Sequence, residues 1–123
     1  MASVQPQLWV SAGRAAVAFY TVAFGATVEH LVGDGDDIVA QLSVGDGAFW
    51  IASADASMGR LTPSDAGGST GRMLLVVTNP DAVVETAVAA GARLTSPVGE
   101  EHGWRLGRIV DPFGHEWEIG RPS

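Results

Sequence analysis

Apolar and polar positions along the chain follow two rhythms, and the order of those rhythms occurs twice. Residues 7–11, Gln-Leu-Trp-Val-Ser, read as a short strand. From 13 to 24 the apolar residues Ala16, Phe19, Tyr20, Ala23 and Phe24 fall at the spacing of one helical face, and Gly25 supplies the stop. Residues 27–33 are the next strand and 33–37, Gly-Asp-Gly-Asp-Asp, a turn. Strands at 38–44 and 48–52 flank Gly45-Asp-Gly47, a hairpin signal. Residues 53–70 have no period and are rich in Gly, Ser, Asp and Pro, which predicts a linker free to move.

The second half repeats this order. Residues 72–78 are strand-like, Asn79 is a helix cap, and Pro80 suits the first helical position. Ala82, Val83, Thr86, Ala87 and Ala90 predict the buried face of that helix, and Gly91 ends it. A short strand at 92–95, a loop at 98–103, and strands at 104–110 and 115–120 follow. Val10 and Val77 are 67 residues apart, Gly25 and Gly91 are 66 apart, and Ile51 and Ile119 are 68 apart. One βαβββ unit is therefore written twice: a first module at 5–54, a linker at 55–70 and a second module at 71–121 of a single domain. A lone unit of this size cannot cover its own sheet, so two must pack together, within the chain or across a dimer.

The closing hairpin is the most specific stretch. Asp111-Pro-Phe-Gly114 is a turn, with Pro112 fixing φ and Gly114 permitting a positive one. Glu116-Trp117-Glu118-Ile119 then alternates, so both carboxylates face one side of the sheet and Trp117 and Ile119 the other. Together with Ala18-Phe-Tyr20, Ala23-Phe-Gly-Ala26, Val88-Ala-Ala-Gly-Ala92 and residues 103–115, ending Asp-Pro-Phe-Gly-His, the chain resembles the vicinal oxygen chelate superfamily. This is the superfamily of glyoxalases, bleomycin-resistance proteins and extradiol dioxygenases. The resemblance covers nearly the whole chain. It implies an α+β fold in which the two modules curl a mixed sheet into a cup, with ligand inside and helices outside, usually as a homodimer.

Metal-using relatives place four ligands in the cup. Carried over by resemblance, these positions fall near Gln5 or Gln7, at Trp50, at Arg72 or Gly71, and at Glu118. Of these only Glu118 is an ordinary metal ligand, because a divalent ion is held by several His or carboxylate groups converging on it. The resemblance is therefore nearest to metal-free, bleomycin-resistance-like members. An ion held by His30, Glu116 and Glu118 is the alternative arrangement. His115 is expected to hold its turn by hydrogen bonds, and His102 to be solvated. Arg72 and Glu118 are also placed to pair with each other across the vacated site.

Parity fixes the rest of the expected site. If Glu118 faces the cup, so does Glu116; and if the ligand positions implied by the resemblance face it, so do Gln5, Gln7 and Trp9 on the first strand, Trp50 on the fourth and Arg72, Leu74 and Val76 on the fifth, with Trp104 and Leu106 lining it from the seventh. The expected ligand-binding set is Trp9, Trp50, Arg72, Trp104, Leu106, Glu116 and Glu118. This is an aromatic-walled surface with a few polar groups, suited to a flat small molecule, cationic in one version.

Composition narrows the partners. Seven arginines, no lysine and fourteen acidic residues give a net charge of −7, with no basic stripe for nucleic acid. No apolar run approaches the roughly 20 residues of a membrane helix, and the N-terminus lacks a secretory pattern. The absence of cysteine fits a cytoplasmic protein. No nucleophile triad or phosphate-binding loop is present. The expectation is a cytoplasmic homodimer that sequesters an aromatic natural product or antibiotic without cofactor or catalytic residue. The alternative is a metal-dependent glyoxalase-type lyase, isomerase or dioxygenase. In either catalytic version, metal-dependent or with a general base alone, Glu118 is the active residue.

Overall fold

The computed structural model describes residues 1–123. In chain order the elements are β1 (Gln7–Val10), α1 (Gly13–Phe24), β2 (Thr27–Asp34), β3 (Asp37–Val44), β4 (Gly47–Ser53), α2 (Pro63–Ala66), β5 (Arg72–Val76), α3 (Pro80–Ala89), β6 (Arg93–Glu101), β7 (Trp104–Val110) and β8 (Glu116–Pro122). They form two four-stranded mixed sheets of identical topology, β1-β4-β3-β2 and β5-β8-β7-β6. In each, the strand before the helix pairs in parallel with the last strand of its unit, and the other pairs are antiparallel.

Alternation along the strands sorts the side chains onto two faces. Leu8, Val10, Ile38, Ala40, Leu42, Phe49 and Ile51 are buried on one face of the first sheet, and Ile109, Trp117 and Ile119 on the matching face of the second. α1 covers the first set with Ala16, Phe19, Tyr20, Ala23 and Phe24, the face expected from their spacing. Gly25 ends that helix at φ 67°, a left-handed conformation that glycine adopts without strain. α3 begins as expected, with Asn79 Oδ1 accepting the Ala82 N–H at 3.2 Å and Pro80 in the first turn. Its buried face differs from expectation. Pro80, Val84 and Ala87 point inward while Ala82 and Thr86 are exposed. Alanine and valine lie on several sides of this helix, so spacing alone does not choose a face; contact with α1, β6, β7 and β8 does.

The two sheets share one core of 18 buried residues. α1 lies against α3, and Tyr20 and Phe49 of the first unit pack their rings 5.7 and 5.4 Å from Trp117 of the second. At this junction the Asp111 carboxylate is buried without a cation. It accepts the Tyr20 hydroxyl, Trp117 Nε1–H at 2.9 Å, and the backbone N–H groups of Phe113 and His115 at 2.9 and 3.0 Å. Four donors satisfy a carboxylate that burial would otherwise penalise.

Burial, followed by the neighbouring Asp111 carboxylate, pushes the Tyr20 phenol well above its ordinary range. A raised folded-state value means this stabilisation is complete below the unfolded phenol value near pH 10 and is lost as pH rises beyond it. Tyr20 is the only tyrosine, so its ultraviolet phenolate band reports on one group. In an alkaline titration that band is expected to appear together with loss of secondary structure. Ionisation in the intact fold would contradict this.

Two segments depart from their sequence reading. Residues 53–70, expected as a linker without period, hold two short turns set by caps. Asp55 caps a 3-10 turn at Ala56–Met58, Thr62 Oγ1 accepts the Asp65 N–H to start α2, and Ser69 Oγ donates to the Gly114 carbonyl at 3.2 Å. The expected loop at 98–103 is mostly strand. β6 runs continuously to Glu101 as an edge strand, accommodating Pro97 through two register shifts against β7.

Candidate functional site

Each sheet has a second face, turned away from the helices, and the strand register sets out what stands on it. On the first sheet, Gln7 pairs with Trp50, Trp50 with Gln41, and Gln41 with His30, giving one row across all four strands. Trp50 is fixed in place: its Nε1–H donates to Gln5 Oε1 at 2.8 Å, and Gln41 Nε2 donates to the same oxygen at 3.0 Å. His30 stands parallel to the Trp50 indole, at 6° between planes and 6.3 Å between centroids. Trp9 shares this face, with the Arg60 guanidinium 5.2 Å from its ring centroid.

The corresponding row on the second sheet is Leu74, Glu118, Arg108 and Ser96. It is ionic where the first is aromatic and amide. Glu118 Oε2 accepts from Arg108 Nε and pairs with Arg72 Nη2, each at 2.9 Å, and Arg108 Nη2 donates to Glu101 at 2.9 Å. The Arg108 hydrogen bond holds the Glu101 carboxyl below the usual carboxylate range, and its bonds to Glu101 and Glu118 raise Arg108. The four side chains alternate in sign and sum to no net charge.

The expected pairing of Arg72 with Glu118 is present, and Arg108 joins it. Arg108, two residues beyond Leu106 on the same strand, falls on this face by parity, although it is not among the expected residues. The register also places Leu74 beside Glu118, 67 residues after Gln7, while Arg72 is two pairs away beside Glu116. Leu74 therefore occupies the repeat equivalent of Gln7, a position the sequence reading had centred on Arg72 or Gly71. Glu116 is exposed and forms none of the ion pairs. Trp104 and Leu106 share the Glu118 face by register, Trp104 half-buried and Leu106 nearly covered. The His115 ring does not bond within its own turn: Nε2–H donates to the Trp9 carbonyl of β1 at 2.8 Å, while the backbone N–H closes the turn onto Asp111 Oδ1 at 3.0 Å. His102 is exposed in the turn between β6 and β7.

The family positions do not form a metal centre. Trp50 and Leu74 offer no donor atom, Gln7 offers only an amide, and Glu118 is already engaged by two guanidinium groups. No three His, Asp or Glu side chains converge within the chain, and His30 lies on the other sheet from Glu116 and Glu118. Within one chain, the residues at the family positions do not make a donor set for a divalent ion.

Nor do the expected residues line one cavity. A cavity of about 360 Å³ lies where β1, β5 and residues 61–71 meet, and it takes in Gln7, Trp9, Arg72 and His115. None of the principal cavities is lined by both Trp50 and Glu118.

Residues 3–119 match the family described as the glyoxalase/bleomycin resistance protein/dioxygenase superfamily. The chain belongs to that superfamily. An uncharacterized protein of Mycobacterium bovis is 29% identical over 98% of this chain and 83% of its own length. Among solved structures, a gene product of Arabidopsis thaliana has a TM-score of 0.75 at 26% identity, covering 98% of this chain and 99% of that one. TioX from Micromonospora sp. ML1 has a TM-score of 0.72 at 25% identity, covering 99% and 97%. The superfamily fold accounts for the paired mixed sheets with the helices on their outer faces. Within it, this chain carries a locked indole in one half at the place where the other half carries Glu118.

Proposed function

We propose that the protein is a metal-free binding protein that sequesters an aromatic small molecule, such as an antibiotic, as a cytoplasmic homodimer. The observation that carries this reading is the fixed Trp50 row. An indole held by Gln5 and flanked by His30 stands on an open sheet face, where a large flat surface is already oriented and little side-chain entropy is lost on binding. The ionic row opposite it in the repeat would anchor polar groups of the ligand. Protection would follow from mass action, with the bound molecule withheld from its target and no bond made or broken.

The open faces support pairing of two copies. Val32 and Val39 on the first sheet are 65% and 41% exposed, and Leu74 and Val76 on the second 57% or less but at least 49%. Apolar residues at such exposure on matching faces suit a cup closed by the first sheet of one copy and the second sheet of another. Sedimentation is expected to show a dimer.

Calorimetric titration with a panel of aromatic antibiotics, with and without chelator, tests the binding reading. Binding that is indifferent to chelator and at least about 10-fold weaker in Trp50→Ala, with the fold intact, is the expected outcome. Stoichiometric metal in the purified protein with chelator-sensitive turnover would overturn it in favour of a glyoxalase-type enzyme.

A further inference from the structure

We propose that the seam between β1 and β5 takes an extended peptide from another molecule, added as a strand to the free edge of β5. This goes beyond the aromatic-ligand reading, because it rests on backbone groups at the sheet edges and not on the side chains of the open faces.

β1 pairs only with β4 and β5 only with β8, so each is an edge of its sheet. The two edges face each other without pairing. Residues 7–9 share the cavity of about 360 Å³ with Arg72 and Met73, and Pro6 shares a second one of about 340 Å³ with residues 72–75. At one end the His115 imidazole bonds the Trp9 carbonyl, and at the other Pro6 lies by Leu74 and Leu75. The strands thus run in opposite directions along one trough. Nearly all Cα pairs between them lie beyond 8 Å, whereas hydrogen-bonded strands lie about 4.8 Å apart.

Alternate residues of a strand turn N–H and C=O to the same side. Trp50 and Ala54 N–H bond the Pro6 and Val10 carbonyls, so Gln7 and Trp9 turn theirs into the seam, where the Trp9 carbonyl meets His115. Val77 N–H bonds the Gly120 carbonyl, so Met73 and Leu75 face β8 while Arg72, Leu74 and Val76 face the seam. Both backbone groups of Gln7, Arg72, Leu74 and Val76 are left without a partner in the chain. Two unpaired edges accept one strand between them, which sets them about 9.6 Å apart.

The side chains along the seam fix what the peptide carries. Val44, Ala48, Phe49, Met73, Leu75 and Trp117 give the second cavity an apolar wall. Leu75 is half-buried, whereas its repeat equivalent Leu8 is buried. The core beside β5 lacks cover that a peptide with β-branched apolar residues at alternate positions supplies.

The probe is acetyl-Val-Thr-Val-Thr-Val-Thr-amide, with two analogues methylated on the backbone nitrogens of either its valines or its threonines. Affinity is read by calorimetry on the full chain, and amide-proton exchange by NMR. In the free protein, Arg72 and Leu74 are expected to exchange faster than Met73 and Leu75, and saturating peptide should slow Gln7, Arg72 and Leu74 at least about 10-fold. One methylated analogue should bind at least about 10-fold more weakly than the other, because β5 offers more groups than β1 and meets only alternate peptide N–H groups. Leu74→Pro removes a seam-facing N–H and spares the ladder to β8; it should weaken the unmodified peptide at least about 5-fold with the circular dichroism of the fold kept.

An absence of heat and of slowed exchange, or equal binding of the two methylated analogues, which leave the protein untouched, would overturn the proposal. So would wild-type affinity in folded Leu74→Pro. Slowed exchange of the same amides in concentrated protein alone would seat a second copy's strand in the seam, and the peptide would lose its place. None of these outcomes touches the Trp50 row.

Discussion

Asp111→Ala is expected to destabilise the fold by about 3–5 kcal/mol, measured by urea denaturation. The carboxylate is buried and accepts four hydrogen bonds, and truncation strands all four donors at the junction of the two sheets. Hydrogen bonds to a charged acceptor are individually strong, and a buried donor left unmade costs about 1–3 kcal/mol. Asp111→Asn separates charge from shape. Its amide oxygen can keep the Phe113 and His115 N–H groups, and the Tyr20 hydroxyl can turn to accept. Trp117 Nε1–H, however, would meet an NH2 group, donor against donor. An intermediate loss of about 1–3 kcal/mol is expected. Equal stability of wild type and Asp111→Ala would show that this network holds nothing together.

The second large effect concerns cooperativity. Ile51 and Ile119 are repeat equivalents, both fully buried, and both belong to the single core that spans the halves. Either isoleucine changed to alanine is expected to cost about 2–5 kcal/mol through lost transfer energy and the cavity left behind. Each should lower the stability of the whole chain in one transition, because Tyr20, Phe49 and Trp117 interlock across the boundary. Tryptophan fluorescence and far-ultraviolet circular dichroism should therefore give coincident curves. Two separated transitions, with Ile51→Ala moving one and Ile119→Ala the other, would mean that the halves fold independently.

The fold was legible in the sequence because its signals are local. Gly25, Asn79-Pro80 and the Asp-Pro-Phe-Gly turn punctuate the chain, and period-two alternation assigns Phe49, Ile51, Trp117 and Ile119 to the core. Residues 53–70 resisted reading because caps at Asp55 and Thr62 order them, and a cap leaves no hydrophobic rhythm. The open faces were legible only where alternation runs unbroken. It placed Trp50, Glu118 and the Arg72–Glu118 pair, and one further step would have added Arg108. It left the face of His30 open, since a bulge shifts every later residue of its strand by one and is visible only in the pairing. The diagonal reach of Arg72, with Leu74 beside Glu118, likewise depends on parallel register, which no single strand's sequence encodes.

The aromatic row and the ionic row occupy equivalent places in a doubled unit, and that has an evolutionary consequence. A solitary unit pairing with its twin would carry every substitution on both walls at once, so any ligand it held would meet the same chemistry twice. Fusing the copies into one polypeptide frees each wall to mutate alone. An indole and a carboxylate can then occupy equivalent positions on the two sheets, and the two open faces come to offer unlike chemistry.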